Sequence, residues 1–180
     1  GVTMQIWEAP AEPERRNDPE HRGCCSLSAV DDARQVADKL VIPYYVLNFR
    51  QLFKETVVNY FINEYLAGKT PNPCIACNRH VKFAGLLERA RALGADYVAT
   101  GHYARITYDG TSGRYFLRKG IDSTKDQSYA LYHLNQTTLK HFQFPLGNMT
   151  KKETRRLAKD WGLAVAEKPD SQEICFIPDN

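Results

Sequence analysis

The stretch Tyr97-Val98-Ala99-Thr100-Gly101-His102 decides the fold class, because a short apolar strand ends there directly in a glycine and a histidine. In parallel α/β sheets, ligands bind beyond the carboxyl ends of strands, where Gly101 and His102 are expected to lie. The spacing of apolar residues upstream predicts a buried strand over 1–7, a helix over 30–40, a strand over 42–47, and helices over 52–66 and 81–93. This order predicts an α/β fold with a parallel sheet and helices on both faces.

The pattern changes after His102. Ile106 and Tyr108 mirror Tyr115 and Leu117 across Asp109-Gly110, which predicts a small β-hairpin. Further along, the sequence predicts a helix over 127–134 and a capping box, Thr150 to Glu153, that opens a helix ending at Gly162. Residues 8–22 are rich in proline and charge without periodicity, so a mobile loop is expected there.

Composition is that of an ordinary globular domain: 180 residues, 43% hydrophobic, 25% charged, with a net charge of +3. The chain has no apolar run of about 18 residues and no secretory signal after Gly1, so neither a membrane partner nor secretion is expected. The five cysteines are an odd number, which argues against a secreted disulfide scaffold. A cytoplasmic protein with reduced thiols is expected.

Cys74 and Cys77 flank a Cys-Ile-Ala-Cys turn, the strongest candidate for chemistry in the chain. The turn follows the proline-rich stretch 69–73 and precedes a helix predicted to begin near Asn78. Backbone N–H groups and the macrodipole at a helix N-terminus favour negative charge, so a thiol there should lose its proton more easily. At i and i+3, both sulfurs can face the same way, as nucleophiles or metal ligands.

A lone CxxC is also typical of a zinc half-site or a redox pair. Zinc would need two more ligands, and the adjacent Cys24 and Cys25 would chelate one metal ion poorly. Those two cysteines are better explained as packing or helix-entry residues. These alternatives stay open on the CxxC alone.

Four motifs occur in one order along the chain: Pro71-Asn72-Pro73-Cys74-Ile75-Ala76-Cys77-Asn78, Ala99-Thr100-Gly101-His102-Tyr103-Ala104-Arg105, Lys125-Asp126-Gln127-Ser128-Tyr129, and Ser171-Gln172-Glu173-Ile174-Cys175-Phe176. Together they resemble the tRNA-specific 2-thiouridylases of the ATP-pyrophosphatase type. The resemblance implies a Rossmann-like sheet of the adenine nucleotide hydrolase-like type with a helical extension. It also implies a function: ATP with Mg2+ adenylates the C2 oxygen of a wobble uridine in tRNA, and sulfur replaces it.

The resemblance also implies roles for single residues. Cys77 would be the nucleophile, Cys175 would carry a persulfide, and the two could form a disulfide. The remaining expected contacts are the target base at Asn72, Pro73 and Cys74; ATP at Met4 and Gly101; and tRNA at His102, Lys125, Asp126 and Gln127. Residues 1–125 would form a partial nucleotide-binding catalytic domain with a catalytic CxxC loop over 71–80. Residues 126–180 would begin the tRNA-binding region and supply the second catalytic cysteine.

The sequence departs from the family pattern in two ways. The family's phosphate-binding Ser-Gly-Gly-Val-Asp-Ser-Ser loop is absent, and the chain starts where the second strand is expected, so we expect a sheet incomplete at its N-terminus. Many family members also carry Asp at the position of Cys74. Cys74, Cys77 and Cys175 could therefore hold three irons of a [4Fe–4S] cluster whose open iron binds sulfide, as an alternative to the persulfide route. The sulfur donor would be a protein or free sulfide.

Two further interpretations remain. A small-molecule ATP pyrophosphatase would share the fold, but amidation or adenylation needs no pair of thiols such as Cys77 and Cys175. A run of basic residues in the last predicted helix fits a solvated face or a phosphate-binding face: Lys151, Lys152, Arg155, Arg156 and Lys159.

Overall fold

A computed structural model describes residues 1–7, 27–170 and 174–177. The predicted mobile loop at 8–22 and both Cys24 and Cys25 lie outside these residues. The chain forms two compact units: unit 1 comprises residues 1–73 and 158–180, and unit 2 comprises residues 74–157. The predicted functional domains, a nucleotide-binding catalytic domain over 1–125 and the start of a tRNA-binding region over 126–180, stay predictions.

Unit 1 contains a parallel strand pair. Strand β1 (Val2–Gln5) runs beside β2 (Tyr45–Asn48), with Val2 opposite Tyr45 and Gln5 opposite Asn48. Helix α1 (Leu27–Lys39) lies between them in the chain, as expected for a parallel connection. The prediction of a buried first strand is wrong: β1 is half-buried and Val2 is 45% exposed. In the described residues β1 pairs with β2 alone, so the pair has little sheet around it to bury it.

The predicted helix over 52–66 is confirmed as one helical segment in three parts: α2 (Arg50–Phe53), a π-helical turn (Lys54–Val58) and α3 (Asn59–Leu66). The wider turn is visible where the Asn59 N–H donates to the Lys54 carbonyl, five residues back. Gly68 ends the segment at φ 75°, a backbone angle that glycine adopts without strain. Phe53 and Val57 from this segment are fully buried in the core of unit 1.

Unit 2 opens with a second long helical segment, made of α4 (Pro73–Cys77), a π-helical stretch (Asn78–Gly85) and α5 (Leu86–Ala92). Strand β3 (Val98–Ala99) pairs in parallel with β6 (Phe142–Gln143), and β4 (Ala104–Asp109) pairs antiparallel with β5 (Arg114–Lys119). The remaining elements are two 3₁₀ turns and two helices: Ser128–Leu131, α6 (Gln136–His141), Pro145–Asn148 and α7 (Lys151–Asp160).

The fold class and two local predictions are confirmed. Parallel strands joined through helices make this an α/β fold. The hairpin has the predicted register, with Ile106 opposite Leu117 and Tyr108 opposite Tyr115. The capping box is formed, since the Thr150 N–H donates to Glu153 Oε2 at 2.7 Å and the Glu153 N–H donates to Thr150 Oγ1 at 3.2 Å.

Other predictions need correction. The helix predicted from Asn78, and the loop predicted over 71–80, give way to a helix that already begins at Pro73. Proline suits the first helical position because its missing N–H would have no partner there. The helix predicted over 127–134 is only the 3₁₀ turn Ser128–Leu131. Asn135 then caps α6 by accepting a hydrogen bond from the Thr138 N–H, so a new helix begins instead.

Candidate functional site

The CxxC pair lies in the first turn of the helical segment of unit 2, and its two cysteines differ in exposure. Cys74 is exposed, whereas Cys77 is 7% exposed and its neighbour Asn78 is 5% exposed. The i, i+3 spacing therefore does not give the two thiols the same surroundings. Cys77 is on the face that also buries Val81.

The helix widens directly after Cys77. The Leu86 N–H donates to the Val81 carbonyl, five residues back, which is the π-helical bond. Such turns occur often at functional positions. Within the described residues, Asn78 Oδ1 is buried without a hydrogen-bond partner, which costs about 1–3 kcal/mol unless a water or ligand donor satisfies it. This acceptor lies one residue from the predicted nucleophile.

Phe83 brings together two parts of unit 2. One is the helical segment from Pro73 to Ala92, called the cysteine helix below, and the other is the strand end of the second motif. The Phe83 ring is 1% exposed and lies 5.4 Å from the His102 ring and 6.1 Å from the His133 ring, between centroids. Phe142 and Phe144 complete the cluster, with centroids 4.5 and 6.0 Å from Phe83. His102, which follows the predicted ATP contact Gly101, therefore packs against the helical segment that carries Cys77.

His102 is a buried, neutral histidine. It is 9% exposed, and its Nδ1 lies 2.8 Å from Thr100 Oγ1. Burial, helped by the positive charge of Lys82, lowers the pKa of His102 to about 4. At neutral pH its ring carries no charge, so it cannot act as a cation toward phosphate. Its predicted contact with tRNA stays a prediction.

The third motif packs against the second. The Tyr103 N–H donates to Gln127 Oε1, and the Gln127 N–H donates to the Tyr103 carbonyl, both at 3.0 Å. Asp126 Oδ1 accepts the Gly120 N–H at 2.8 Å, and Asp126 Oδ2 accepts the Ser128 hydroxyl at 2.8 Å. These bonds give both side chains a structural role. Contacts of Lys125, Asp126 and Gln127 with tRNA stay predictions.

The other residues predicted for the site lie in unit 1 or at an exposed position of unit 2. Met4 is half-buried opposite Leu47, and Cys175 is half-buried in a turn next to Phe176. The Phe176 ring packs within unit 1 against Phe53 at 5.7 Å and Phe61 at 5.5 Å. Asn72 is exposed, Pro73 is buried, and Gly101 is exposed at the end of β3.

Sequence reasoning missed Asn78, Phe83 and His133 as members of this site. Asn78 is part of the first motif, but nothing in the sequence says that its side chain is buried. His133 follows the third motif, and both of its ring nitrogens are shielded from solvent without a partner in the described part of the chain. Tertiary packing around Phe83 alone brings these residues together.

The described residues hold neither a metal-ligand cluster nor a membrane-spanning helix. No group of three or more His, Cys, Asp or Glu side chains in residues 1–7, 27–170 and 174–177 is placed to hold a metal ion. Among the helices in those same ranges, none is long and apolar enough to span a membrane.

The family model described as the tRNA methyl transferase HUP domain matches residues 1–179. The chain belongs to this family. The HUP domain is Rossmann-like, which agrees with the predicted fold class and with the parallel strand pairs.

Curated relatives align with this HUP domain along its whole length. The tRNA-specific 2-thiouridylase MnmA of Acetivibrio thermocellus is 59% identical over 180 residues, which is 100% of the chain and 49% of the relative. Proteins of the same name from Heliobacterium modesticaldum and Clostridioides difficile are 60% and 57% identical over 180 residues, with 46% and 48% of their lengths covered. The chain thus spans about half the length of the curated relatives it matches.

Proposed function

We propose that this HUP domain belongs to an enzyme that uses ATP to convert a wobble uridine of tRNA into 2-thiouridine. The observation that carries the proposal is the 57–60% identity, along the entire chain, to relatives named tRNA-specific 2-thiouridylase. The buried Cys77 near the start of a helix supports it, as does the packing of Phe83 from the same helical segment against His102.

In the first proposed step, ATP activates the uridine. The C2 oxygen of the base attacks the α-phosphorus of ATP, pyrophosphate leaves, and the oxygen becomes part of an AMP leaving group. Met4 and Gly101 are the proposed ATP contacts, and Mg2+ would accompany the triphosphate. Gly101 supports this role because a Cβ there would approach only Leu146 Cδ1, at 3.6 Å, so its surface is open.

In the second proposed step, sulfur replaces the AMP. A persulfide on Cys175 attacks C2 with its terminal sulfur, and AMP departs with the C–O bond electrons. The Cys77 thiolate then attacks the Cys175 sulfur, which leaves the terminal sulfur on the base and forms a Cys77–Cys175 disulfide. Two electrons from a cellular thiol reductant must reopen that disulfide, so we propose a reducing, cytoplasmic setting and a sulfur-donor protein.

The alternative sulfur route is a [4Fe–4S] cluster on Cys74, Cys77 and Cys175 that receives free sulfide. Thiolates are suitable ligands for it. The described residues contain no preassembled group of metal ligands, so we derive no step through a cluster. Replacing Cys74 by Asp separates the routes, because only the cluster needs a thiolate at this position.

The test is a thiolation assay with the full-length gene product, purified without oxygen. Unmodified tRNA, ATP and a sulfur donor are incubated with the protein, and digested tRNA is examined for 2-thiouridine by mass spectrometry. We expect thiouridine with the wild-type protein and none with Cys77→Ser or Cys175→Ser. Iron content and the activity of Cys74→Asp, measured in the same preparations, identify the sulfur route.

The remaining alternatives give different results in that assay. Stoichiometric zinc with no thiouridine would indicate a zinc or redox module. ATP turnover without thiouridine, and unchanged by Cys175→Ser, would indicate a small-molecule ATP pyrophosphatase. Either outcome would overturn the proposed function.

A further inference from the structure

A surface of unit 2 combines an exposed arginine with an exposed tyrosine, close in sequence or packing to the helical segment of the predicted nucleophile. We call it the basic–aromatic patch and define it by four residues: Arg79, His80, Tyr132 and His133. Arg79 and His80 are exposed and follow Cys77 by two and three residues in the same helical segment. Tyr132 is 71% exposed, and its ring centroid lies 5.9 Å from that of His133.

Phe83 joins the Tyr132–His133 side of the patch to the helical segment that carries Arg79 and His80. The His133 ring packs edge-on against Phe83 at 6.1 Å, which anchors the Tyr132–His133 side of the patch to the cysteine helix. The π-helical stretch Asn78–Gly85 also packs against the 3₁₀ turn Ser128–Leu131. The two halves of the patch are therefore held by a buried contact rather than by flexible loops.

Charge in the patch has one sign. Burial and the Arg79 charge lower the pKa of His80, and burial with the charges of Arg79 and His80 lowers the pKa of His133. In the described part of the chain, the charged neighbours that act on these two rings are thus cations. Both rings are therefore neutral at neutral pH, so Arg79 carries the positive charge of the patch that a bound anion would meet.

We propose that the basic–aromatic patch binds single-stranded RNA, with a phosphate on Arg79 and an unpaired base stacked on Tyr132. The inference rests on the proposed function and names the surface that leads the RNA strand to Cys77. Exposed aromatic rings beside cations are typical of single-strand binding, because every unstacked base offers a π-face. A duplex keeps its bases stacked, so only its phosphates could contact the patch, at Arg79.

The test measures RNA binding directly, by fluorescence anisotropy of a labelled oligouridine and of a matched RNA duplex with the full-length protein. We expect Tyr132→Ala to weaken oligouridine binding about five- to 150-fold, the range measured for a lost base–aromatic stack. Tyr132→Phe keeps the ring and should bind normally. Tyr97→Ala is the matched control, since Tyr97 is 58% exposed and lies outside the patch.

The phosphate contact is tested by salt dependence. Arg79→Gln should make the slope of log affinity against log salt shallower by about 0.7, as for one lost single-strand phosphate contact. Arg89→Gln, an exposed arginine in α5, should leave the slope unchanged. Thermal melts of each variant verify that the fold is intact.

The outcomes separate the inference from the proposed function. Unchanged oligouridine binding in both Tyr132→Ala and Arg79→Gln would overturn the inference, even if the wild-type protein thiolates tRNA. Patch-dependent binding by a protein that forms no thiouridine would support the inference and overturn the proposed function.

Discussion

At the scale of single residues, the difference between Cys74 and Cys77 has a direct chemical consequence. The exposed Cys74 should react with a maleimide on the order of tenfold faster than the buried Cys77, because reagent access limits the buried thiol. Peptide mass spectrometry after short labelling pulses measures both rates. Labelling in urea is the control, where the two rates should converge. Equal rates in the folded protein would contradict the burial of Cys77.

His102 should make stability depend on pH. Its folded pKa is about 4, below its ordinary value of 6.5, so the folded state binds this proton less readily than the unfolded state. The stabilising contribution is fully present above pH 6.5 and is lost as the pH falls toward 4, to a total of roughly 3 kcal/mol. Urea unfolding at several pH values should show this loss, and His102→Asn should lack this component.

NMR titration of the His102 ring gives an independent check on the same prediction. A midpoint near 6.5 in the folded protein would contradict it, whatever the unfolding curves show. A midpoint near 4 would also establish that the ring is neutral wherever the protein acts at neutral pH.

At the scale of elements, Gly147 shows how closely the 3₁₀ turn Pro145–Asn148 approaches β4. A Cβ at Gly147 would overlap the Ala104 carbonyl oxygen, a backbone atom that cannot rotate away. Gly147→Ala should therefore reduce the free energy of unfolding by about 3 kcal/mol. Gly110→Ala is the control, because a Cβ in the hairpin turn meets nothing within 4 Å and should change stability by about 0.5 kcal/mol or less. Equal effects would refute the close approach.

Long periodic elements were predictable from the sequence, and short ones were not. The helices over 52–66 and 81–93 carry several turns of apolar spacing, and the hairpin carries alternation on both sides of Asp109-Gly110. Strand β6 has two residues and α6 has six, too few for a period to show. Their positions depend on pairing with β3 and on the Asn135 cap.

The candidate site was predictable only in part, for a similar reason. Cys77 and Gly101-His102 stand in recognisable local patterns. Phe83 and His133 have no such pattern, since their importance comes from meeting across fifty residues of chain at a ring distance of 6.1 Å. The prolines at 71 and 73 predict a later helix start, but the first helical position accepts a proline, so the helix begins at Pro73.

At the scale of the whole molecule, burial is unevenly distributed, and local stability should follow it. Val81, Phe83 and Leu86 in the cysteine helix are 0–9% exposed, whereas strand β1 is half-buried and pairs within the described residues with β2 alone. We expect backbone amides of Phe83–Leu87 to exchange with solvent at least about tenfold more slowly than those of Thr3–Gln5. Hydrogen-exchange mass spectrometry measures this, and equal protection would show that β1 is stabilised by something beyond its pairing with β2.

The π-helical stretch after Cys77 sets the direction of the Cys77 side chain around the helix axis, relative to the buried residues further along the helix. An α-helix turns about 100° per residue, so a register that reaches back five residues instead of four offsets everything downstream by one such step. Nine regular steps from Cys77 to Leu86 would place these two buried residues about 180° apart around the helix, and the offset brings them to about 80°. The wider turn thus takes up one residue between the motif and the core: deleting the exposed Ala84 lets the segment close as a regular α-helix with the same phase, whereas inserting a residue there rotates the thiol by about 100°.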